Sequence, residues 1–213
     1  MIFVLGEYSY LRSVVAGLDS ILQVLIDKYR KTSKLKFVLC GSYVETMKSL
    51  LSKENPLFGR FDYALNVKPM DYYDSSKFYS DYNNEDKVRT FSVFGGIPYY
   101  NRLINSKKSV KENIIELIAS PGCRLENEIA MYLNSEISKI NNANEVFEAL
   151  AKGFSKFNDI LSQSNVTSSP ALADTLEKLI KMDVVKKVAP LNDENNKKKS
   201  GYLISDPLFL FYI

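Results

Sequence analysis

Two short apolar runs at the start of the chain enclose a segment with the periodicity of an amphipathic helix. The runs Ile2–Glu7 and Leu35–Cys40 are rich in β-branched and apolar residues, as buried parallel strands are. Between them, apolar residues recur at the spacing of one helix face within Gly17–Tyr29, at Leu18, Ile21, Leu22, Leu25 and Ile26. The pattern predicts a strand–helix–strand unit with parallel strands and a right-handed crossover.

A third strand and a series of helices are predicted in the middle of the chain. Residues Tyr63–Lys68 alternate between apolar and polar positions up to Pro69, which favours a strand. Many tyrosines follow at helical spacing, and we interpret them as packing residues rather than as a platform for stacking bases. Helices are predicted over Tyr43–Leu51, Asp71–Tyr79, Glu85–Phe94, Val110–Ile118 and Arg124–Ser138.

The last third of the sequence has the pattern of helices followed by a hairpin. Helices are predicted over Glu145–Lys152, Ser155–Gln163 and Ser168–Met182, with Ser155 as the N-cap of the second and Ser168 or Ser169 as the N-cap of the third. Strands are predicted over Val184–Leu191 and Gly201–Ser205, separated by a polar, Lys-rich tip. Three helices followed by a β-hairpin predict a winged helix-turn-helix.

The composition removes several classes of chemistry. The 213 residues carry a net charge of +3, two cysteines and no histidine. Without histidine, the chain has no His-based metal site, no Ser-His-Asp triad and no Cys-His pair. Any catalysis must use carboxylates, Arg, Lys, Tyr and backbone amides. The apolar start Met1–Leu5 lacks a basic region and is too short for a membrane span, so we predict no membrane association and a cytoplasmic location.

Polar residues follow the two parallel strands where each strand ends. The first run ends in Glu7, and the second ends at Gly41-Ser42, as in the sheets of nucleotide-binding α/β proteins. In a P-loop ATPase the first run ends Asp-Glu, with one acid for magnesium and one for the attacking water. Here Gly6 occupies the Asp position, and the phosphate-binding motif G-x-x-x-x-G-K-[ST] does not occur. The sequence therefore indicates a piece of an ATPase.

Seven segments, taken in order, resemble the archaeal-type ATPase family, whose members are P-loop ATPases related to the AAA+ and STAND classes. The segments are Ile2–Leu11, Leu39–Ser42, Pro56–Arg60, Lys68–Tyr73, Phe94–Tyr100, Ala149–Gly153 and Tyr202–Pro207. The resemblance implies a fold that is α/β plus mostly α, with a parallel βαβ ATPase core. Residues 1–105 would hold part of that core and a helical lid, and residues 106–213 a helical connection and a winged-helix domain.

The same resemblance implies ATP and Mg²⁺ as ligands of the full-length family, with hydrolysis used as a nucleotide-dependent switch. Glu7 would orient the attacking water, Ser42 would sense the γ-phosphate, and Arg60 would be an arginine finger or a phosphate sensor. Each residue also has an ordinary interpretation, as a strand-end carboxylate, a helix N-cap and a surface arginine. Because the chain begins after the P-loop, we expect it to be truncated before Walker B and inactive alone.

The sequence does not decide whether the predicted winged helix binds DNA or protein. Its lysines could bind nucleic-acid phosphates or form a solvated tip: Lys186, Lys187, Lys197, Lys198 and Lys199. Asp174 and Glu177 on the third helix would repel phosphates, so we favour a protein-contact role and expect any DNA binding to be weak. Self-association or a partner protein would then use the lid and the winged helix. The alternative is a non-enzymatic winged-helix DNA-binding or interaction module in which the ATPase part is scaffold.

Overall fold

The chain divides into two compact units, Met1–Asn66 and Val67–Ile213. The computed structural model describes residues 1–41, 43–126, 128, 131, 140–193, 196 and 199–212. The domain boundary predicted after residue 105 falls inside the second unit. It stays a prediction about where an ATPase core would give way to a winged helix.

The first unit is built around the predicted strand–helix–strand arrangement. Its elements are β1 (Ile2–Leu5), α1 (Tyr8–Val14), α2 (Leu18–Tyr29), β2 (Lys36–Leu39) and α3 (Val44–Ser49). Strands β1 and β2 pair in parallel, with Ile2 opposite Lys36 and Leu5 opposite Leu39. The strands, α2 and α3 confirm the prediction, whereas α1 was not predicted.

One face of the small sheet packs on a core. Leu5, Phe37 and Leu39 pack against a buried cluster formed by Tyr8, Leu22, Leu50 and Leu57. Because side chains alternate along a strand, Ile2, Val4 and Val38 lie on the opposite face. All three are exposed.

The predicted third strand is wrong. Residues 63–70 form no strand, and no strand in the described part of the chain pairs with them. The alternating apolar side chains of Tyr63, Leu65 and Val67 are 86%, 87% and 89% exposed. Alternation encodes a strand only where a neighbouring strand supplies hydrogen bonds and a core covers the apolar face.

Short helices fill the first half of the second unit. They are α4 (Tyr72–Ser75), a 3₁₀ helix (Ser76–Tyr79), α5 (Asn84–Phe94), α6 (Pro98–Asn101) and α7 (Val110–Ile114), the last continued by a π-helical turn (Ile115–Ala119). Side-chain caps start three of them, at Asp71, Asn83 and Ser109. The other elements confirm the predicted helices, whereas α6 was not predicted. The helix predicted over Arg124–Ser138 lies largely outside the described residues.

Two glycines allow the chain to turn sharply between α5 and α6. Gly95 has φ 64°, in the left-handed region, and Asn101 Nδ2 donates to its carbonyl oxygen at 3.1 Å. The amide of Met70 donates to the carbonyl of Gly96 at 2.9 Å. A Cβ on Gly96 would lie 1.9 Å from the carbonyl oxygen of Met70, so only glycine fits this crossing.

The tyrosines of this region mostly serve packing. Tyr79, Tyr82 and Tyr100 are buried, and the rings of Tyr79 and Tyr82 lie 6.1 Å apart between centroids. Burial raises the pKa of Tyr79 to about 12. Tyr73 is the exception, because three quarters of its side chain is exposed (75%). Buried rings offer no face to a base.

The second half of this unit follows the predicted order of helices and hairpin. It comprises α8 (Ala143–Ala151), α9 (Phe157–Gln163), α10 (Ser169–Lys181), β3 (Val185–Val188), β4 (Gly201–Ile204) and α11 (Pro207–Tyr212). Strands β3 and β4 pair antiparallel. Of the two predicted caps of α10, the structure shows Ser168, whose side chain accepts from the Ala171 amide. The predicted Ser155 cap is wrong: α9 begins at Phe157, and the Ser155 carbonyl accepts from the Tyr202 amide at 2.8 Å.

Candidate functional site

The carboxyl ends of β1 and β2 meet at one edge of the sheet of the first unit. The Cys40 amide donates to the Leu5 carbonyl at 3.0 Å, and the Tyr8 amide donates to the Cys40 carbonyl at 2.9 Å. The hydrogen-bond pattern thus continues past the last strand residues. It places Tyr8 beside Cys40, and the chain neighbours of these two residues are Glu7, which is exposed, and Gly41.

Glu7 has a strained backbone. Its φ and ψ are 48° and 43°, in the left-handed region, where a non-glycine residue costs about 1–2 kcal/mol. The Glu7 carbonyl accepts from the amides of Tyr10 and Leu11 at 2.9 and 3.1 Å, so Glu7 is the N-cap of α1. Such conformations persist where surrounding structure enforces them, and they are enriched at functional sites.

A close approach between Ser9 and Gly41 shapes the same edge. A Cβ on Gly41 would lie 2.6 Å from Ser9 Oγ and 3.3 Å from the Ser9 amide nitrogen. Within the described part of the chain, Ser9 Oγ is buried and has no hydrogen-bond partner. A buried hydroxyl without a hydrogen-bond partner costs free energy. Ser9 follows the exposed Glu7 by two residues in the chain.

A buried polar cluster holds α1, α2 and the loop after α3 together beneath this edge. Asp19, which is 7% exposed, accepts from Tyr8 Oη at 2.7 Å and from Asn55 Nδ2 at 2.8 Å. Arg12 Nε lies 2.9 Å from the same carboxylate. Burial, followed by the hydrogen bond to Asp19, raises the pKa of Tyr8 well above its usual value. The cluster fixes Tyr8, the residue that follows Glu7.

Arg60 is held by the first unit itself. Its Nε and Nη2 bind the two carboxylate oxygens of Asp27 on α2 at 2.9 and 2.7 Å. Its Nη1 donates to the carbonyl oxygens of Pro56 and Phe58 at 2.9 and 3.0 Å. The guanidinium lowers the pKa of Asp27, chiefly through these hydrogen bonds. To contact a phosphate, Arg60 would first have to leave Asp27.

The structure brings only part of the predicted site together. Glu7 lies at the strand edge, and Arg60 lies in the loop bound to α2. Ser42 lies outside the described residues. Sequence reasoning missed Asp19, Asn55 and Asp27, whose side-chain partners are 7 to 36 residues away in the chain. An Asp inside an otherwise apolar helix stripe was the available signal for Asp19.

The two predicted phosphate-binding lysines on β3 do not share one face of the hairpin. Lys186 and Lys187 are neighbours on β3, opposite Leu203 and Tyr202, so their side chains leave opposite faces of the hairpin. Lys199 is exposed, and its carbonyl oxygen accepts from Lys156 Nζ at 2.7 Å. Lys197 and Lys198 lie outside the described residues.

The exposed face of α10 is neutralised within the helix. Lys178 Nζ lies 2.7 Å from Asp174, and Lys181 Nζ lies 2.9 Å from Glu177, both at the i,i+4 spacing. These lysines are therefore already paired with carboxylates. This face offers fewer cations to DNA phosphates than the sequence alone suggests.

No single helix in the described ranges has the length and apolar composition to cross a membrane, although α1 and α2 meet both criteria as a pair bent by 111°. No group of three or more Cys, Asp or Glu side chains with the arrangement of a metal site occurs in those ranges.

Comparison with known proteins relates the chain to archaeal sequences and structures. No protein-family model matches it. It is 25% identical over 212 residues to an uncharacterized protein of Methanocaldococcus jannaschii, a match that covers 99% of this chain and 48% of the relative. A Walker-type ATPase of Pyrococcus abyssi superposes with a TM-score of 0.65 at 20% identity, over 99% of this chain and 62% of that one. The chain thus spans about half the length of the curated relative (48%) and shares its fold with part of a Walker-type ATPase.

Proposed function

We propose that this chain supplies the water-orienting edge of an ATP site in an archaeal-type P-loop ATPase, and that the complete ATPase is a nucleotide-dependent switch. The observation that carries the proposal is the edge where β1 and β2 end, with Glu7 in a left-handed conformation directly after β1. The fold similarity to a Walker-type ATPase supports the same conclusion. Nucleotides bind α/β enzymes at the carboxyl ends of the parallel strands, and Glu7 follows such an end here.

The residues at this edge fit one half of an Mg·ATP site. Bound Mg·ATP would supply the phosphoryl group and the metal that draws charge from it. Glu7 offers an exposed carboxylate that can accept a hydrogen bond from water, and Ser9 Oγ is a hydroxyl without a partner in the described structure. Gly6 has no side chain to hold magnesium through water. The amide cradle for phosphates is absent from the sequence.

Nucleotide titration tests whether this chain lacks the phosphate contacts that a P-loop would supply. We expect the chain alone to show no micromolar affinity for Mg·ATP, because a P-loop provides most of the phosphate contacts. Joining a P-loop segment to the chain and making Gly6→Asp should bring the dissociation constant into the micromolar range. Isothermal titration calorimetry measures both proteins. Micromolar binding by the chain alone, or no binding by the fusion protein, would contradict the proposal.

For the second unit we propose a winged helix that contacts protein rather than reading DNA sequence. Helices α8, α9 and α10 are followed by the β3–β4 hairpin, and the Ser155 carbonyl extends that hairpin by bonding the Tyr202 amide. The ion pairs within α10 favour a protein contact. The second candidate function is a DNA-binding regulator, which the exposed Lys186 and Lys187 favour. With either function, we propose a cytoplasmic location.

A further inference from the structure

Helix α2 of the first unit carries a second apolar stripe, on the side that faces away from the core. Its inner side packs on the core through the buried Leu22 and through Ile26. Its outer side carries Ile21, Val24 and Leu25, which are spaced as neighbours on one helix face. These three side chains are 50%, 63% and 40% exposed. Surface helices generally turn polar side chains toward water, so the outer stripe calls for a partner.

Two lysines continue the outer stripe toward the end of the helix. Lys28 is exposed and lies one turn beyond Val24 and Leu25. Arg30 keeps helical φ and ψ of −51° and −37°, so the exposed Lys31 follows Lys28 at the spacing of the same face. We call the surface formed by Ile21, Val24, Leu25, Lys28 and Lys31 the outer α2 face.

The charge around the end of α2 is positive. Residues 28–36 contain no Asp or Glu, and their basic residues are all exposed: Lys28, Arg30, Lys31, Lys34 and Lys36. Asp27 borders the outer α2 face, but Arg60 binds both of its carboxylate oxygens. Arg30 has one long ion pair, at 3.9 Å from Asp62, and Lys36 lies on the sheet face away from α2. The remaining lysines attract an anionic surface together.

The composition of the outer α2 face selects the occupant. A second copy of the chain would bring Lys28 and Lys31 against a face that contains no carboxylate to pair with them. Nucleic acid would pair with the lysines and leave the aliphatic side chains against charged phosphates. An enclosing protein groove would need more of the helix than its outer side, since the inner side is packed on the core. A flat surface with an apolar interior and anionic head groups matches both the stripe and the lysines.

We propose that the outer α2 face binds the surface of a membrane that contains anionic lipids. Helix α2 then lies along the surface, with its three aliphatic side chains just below the head groups and its lysines on the lipid phosphates. Tyr29 is 46% exposed, its ring centroid lies 5.2 Å from Lys28 Nζ, and an aromatic ring suits the head-group layer. The prediction of no membrane association rested on the short apolar start Met1–Leu5. A surface contact needs no span and replaces that prediction.

Tryptophan fluorescence tests whether the outer α2 face enters a lipid surface. The sequence contains no tryptophan, so Val24→Trp provides a single fluorophore on that face. We expect its emission to shift to shorter wavelength with vesicles of phosphatidylglycerol and phosphatidylcholine, and not with vesicles of phosphatidylcholine alone. The matched control is Val38→Trp, on the sheet face away from α2, whose emission should not shift. No shift for Val24→Trp, or equal shifts in both proteins, would overturn the proposal.

Cosedimentation with the mixed vesicles measures the contribution of single residues in the full chain. Val24→Glu should weaken binding about tenfold or more, because it would place a carboxylate among acyl chains and beside anionic head groups. Lys28→Gln should weaken binding about fivefold, and Lys36→Gln, with the same charge change on the far side of the sheet, clearly less. All three variants should melt like the original chain, because these side chains are exposed. Unchanged binding by folded Val24→Glu, or equal losses for the two lysine variants, would overturn the proposal.

Two other occupants would give different results with the same proteins. Binding of random duplex DNA that is lost in Lys28→Gln and kept in Val24→Glu would assign the lysines to nucleic acid. A dimer that forms without lipid and is lost in Val24→Glu, measured by analytical ultracentrifugation, would assign the apolar stripe to a second copy of the chain. Either result would overturn the proposal.

Discussion

Glu7 combines an exposed carboxylate with a backbone conformation that side chains rarely adopt. The fold does not require a side chain at this position, because a glycine at position 7 could adopt the same left-handed conformation without strain and α1 could begin after it. The hydrogen bond between the Tyr8 amide and the Cys40 carbonyl holds the backbone directly after Glu7. The hydrogen bond from Tyr8 Oη to the buried Asp19 anchors the Tyr8 side chain. We interpret this strain as the cost of aiming the Glu7 side chain along the strand edge.

Replacing Glu7 by glycine should therefore stabilise the first unit. Glu7→Gly removes a left-handed strain of about 1–2 kcal/mol, partly offset by the entropy of glycine in the unfolded chain, for a net gain of about 0.5–1 kcal/mol. Hydrogen exchange of the α1 amides measures the change. Glu7→Gln keeps the strain and should leave protection unchanged. Glu7→Gly with less protection than Glu7→Gln would show that the carboxylate itself stabilises the turn.

At the scale of elements, α11 depends on a carboxylate removed from water. Asp206 Oδ1 accepts from the Leu208 amide at 2.8 Å at the start of the helix. Burial raises the pKa of Asp206 above its ordinary value, opposed by the hydrogen bonds from backbone amides. The folded state thus holds the Asp206 proton more tightly than the unfolded state. The stability from this group is complete below the unfolded pKa and is lost as pH rises through the folded pKa.

Asp206→Asn should therefore raise the melting temperature at neutral pH. Asparagine keeps the N-cap and carries no charge, so the gain should shrink to nothing near pH ~3, where aspartate is mostly protonated. Asp206→Ala is the matched control: it removes the cap and should destabilise by about 1 kcal/mol in acid, and by less at neutral pH, where it also removes the desolvated charge. Thermal unfolding followed by circular dichroism measures all three proteins. A gain for Asp206→Asn that persists unchanged in acid would contradict the desolvation of Asp206.

The hairpin and α10 together predict weak, salt-sensitive DNA binding. Any contact would use the wing lysines on phosphates, so affinity for random duplex should fall on the order of tenfold between about 50 and 200 mM salt. Mobility shift at the two salt concentrations measures this, with specific and random duplexes giving similar affinity. Tight, sequence-selective binding that survives Lys197→Ala, Lys198→Ala and Lys199→Ala would show that α10 reads bases.

For the whole molecule, the sequence predicted the features that depend on local pattern. The periodicity within Gly17–Tyr29 and the capping serine at position 168 define α2 and α10 without reference to distant residues. The strand at Tyr63–Lys68 could not be decided locally, because the same alternation is left exposed when no neighbour pairs with it. The ion pair between Arg60 and Asp27 and the left-handed turn at Glu7 depend on tertiary packing, which residue spacing does not encode.

For the whole molecule we propose that one sheet edge supplies the water-orienting half of an ATP site and that a P-loop segment supplies the other half. The most direct measurement is single-turnover ATP hydrolysis by the fusion protein that carries a P-loop segment and Gly6→Asp. We predict hydrolysis by this protein and a loss of about 10²–10⁴-fold in rate when Glu7→Gln is added, with Mg·ATP affinity unchanged. Hydrolysis at the full rate after Glu7→Gln, in a fusion protein that binds Mg·ATP, would contradict the account.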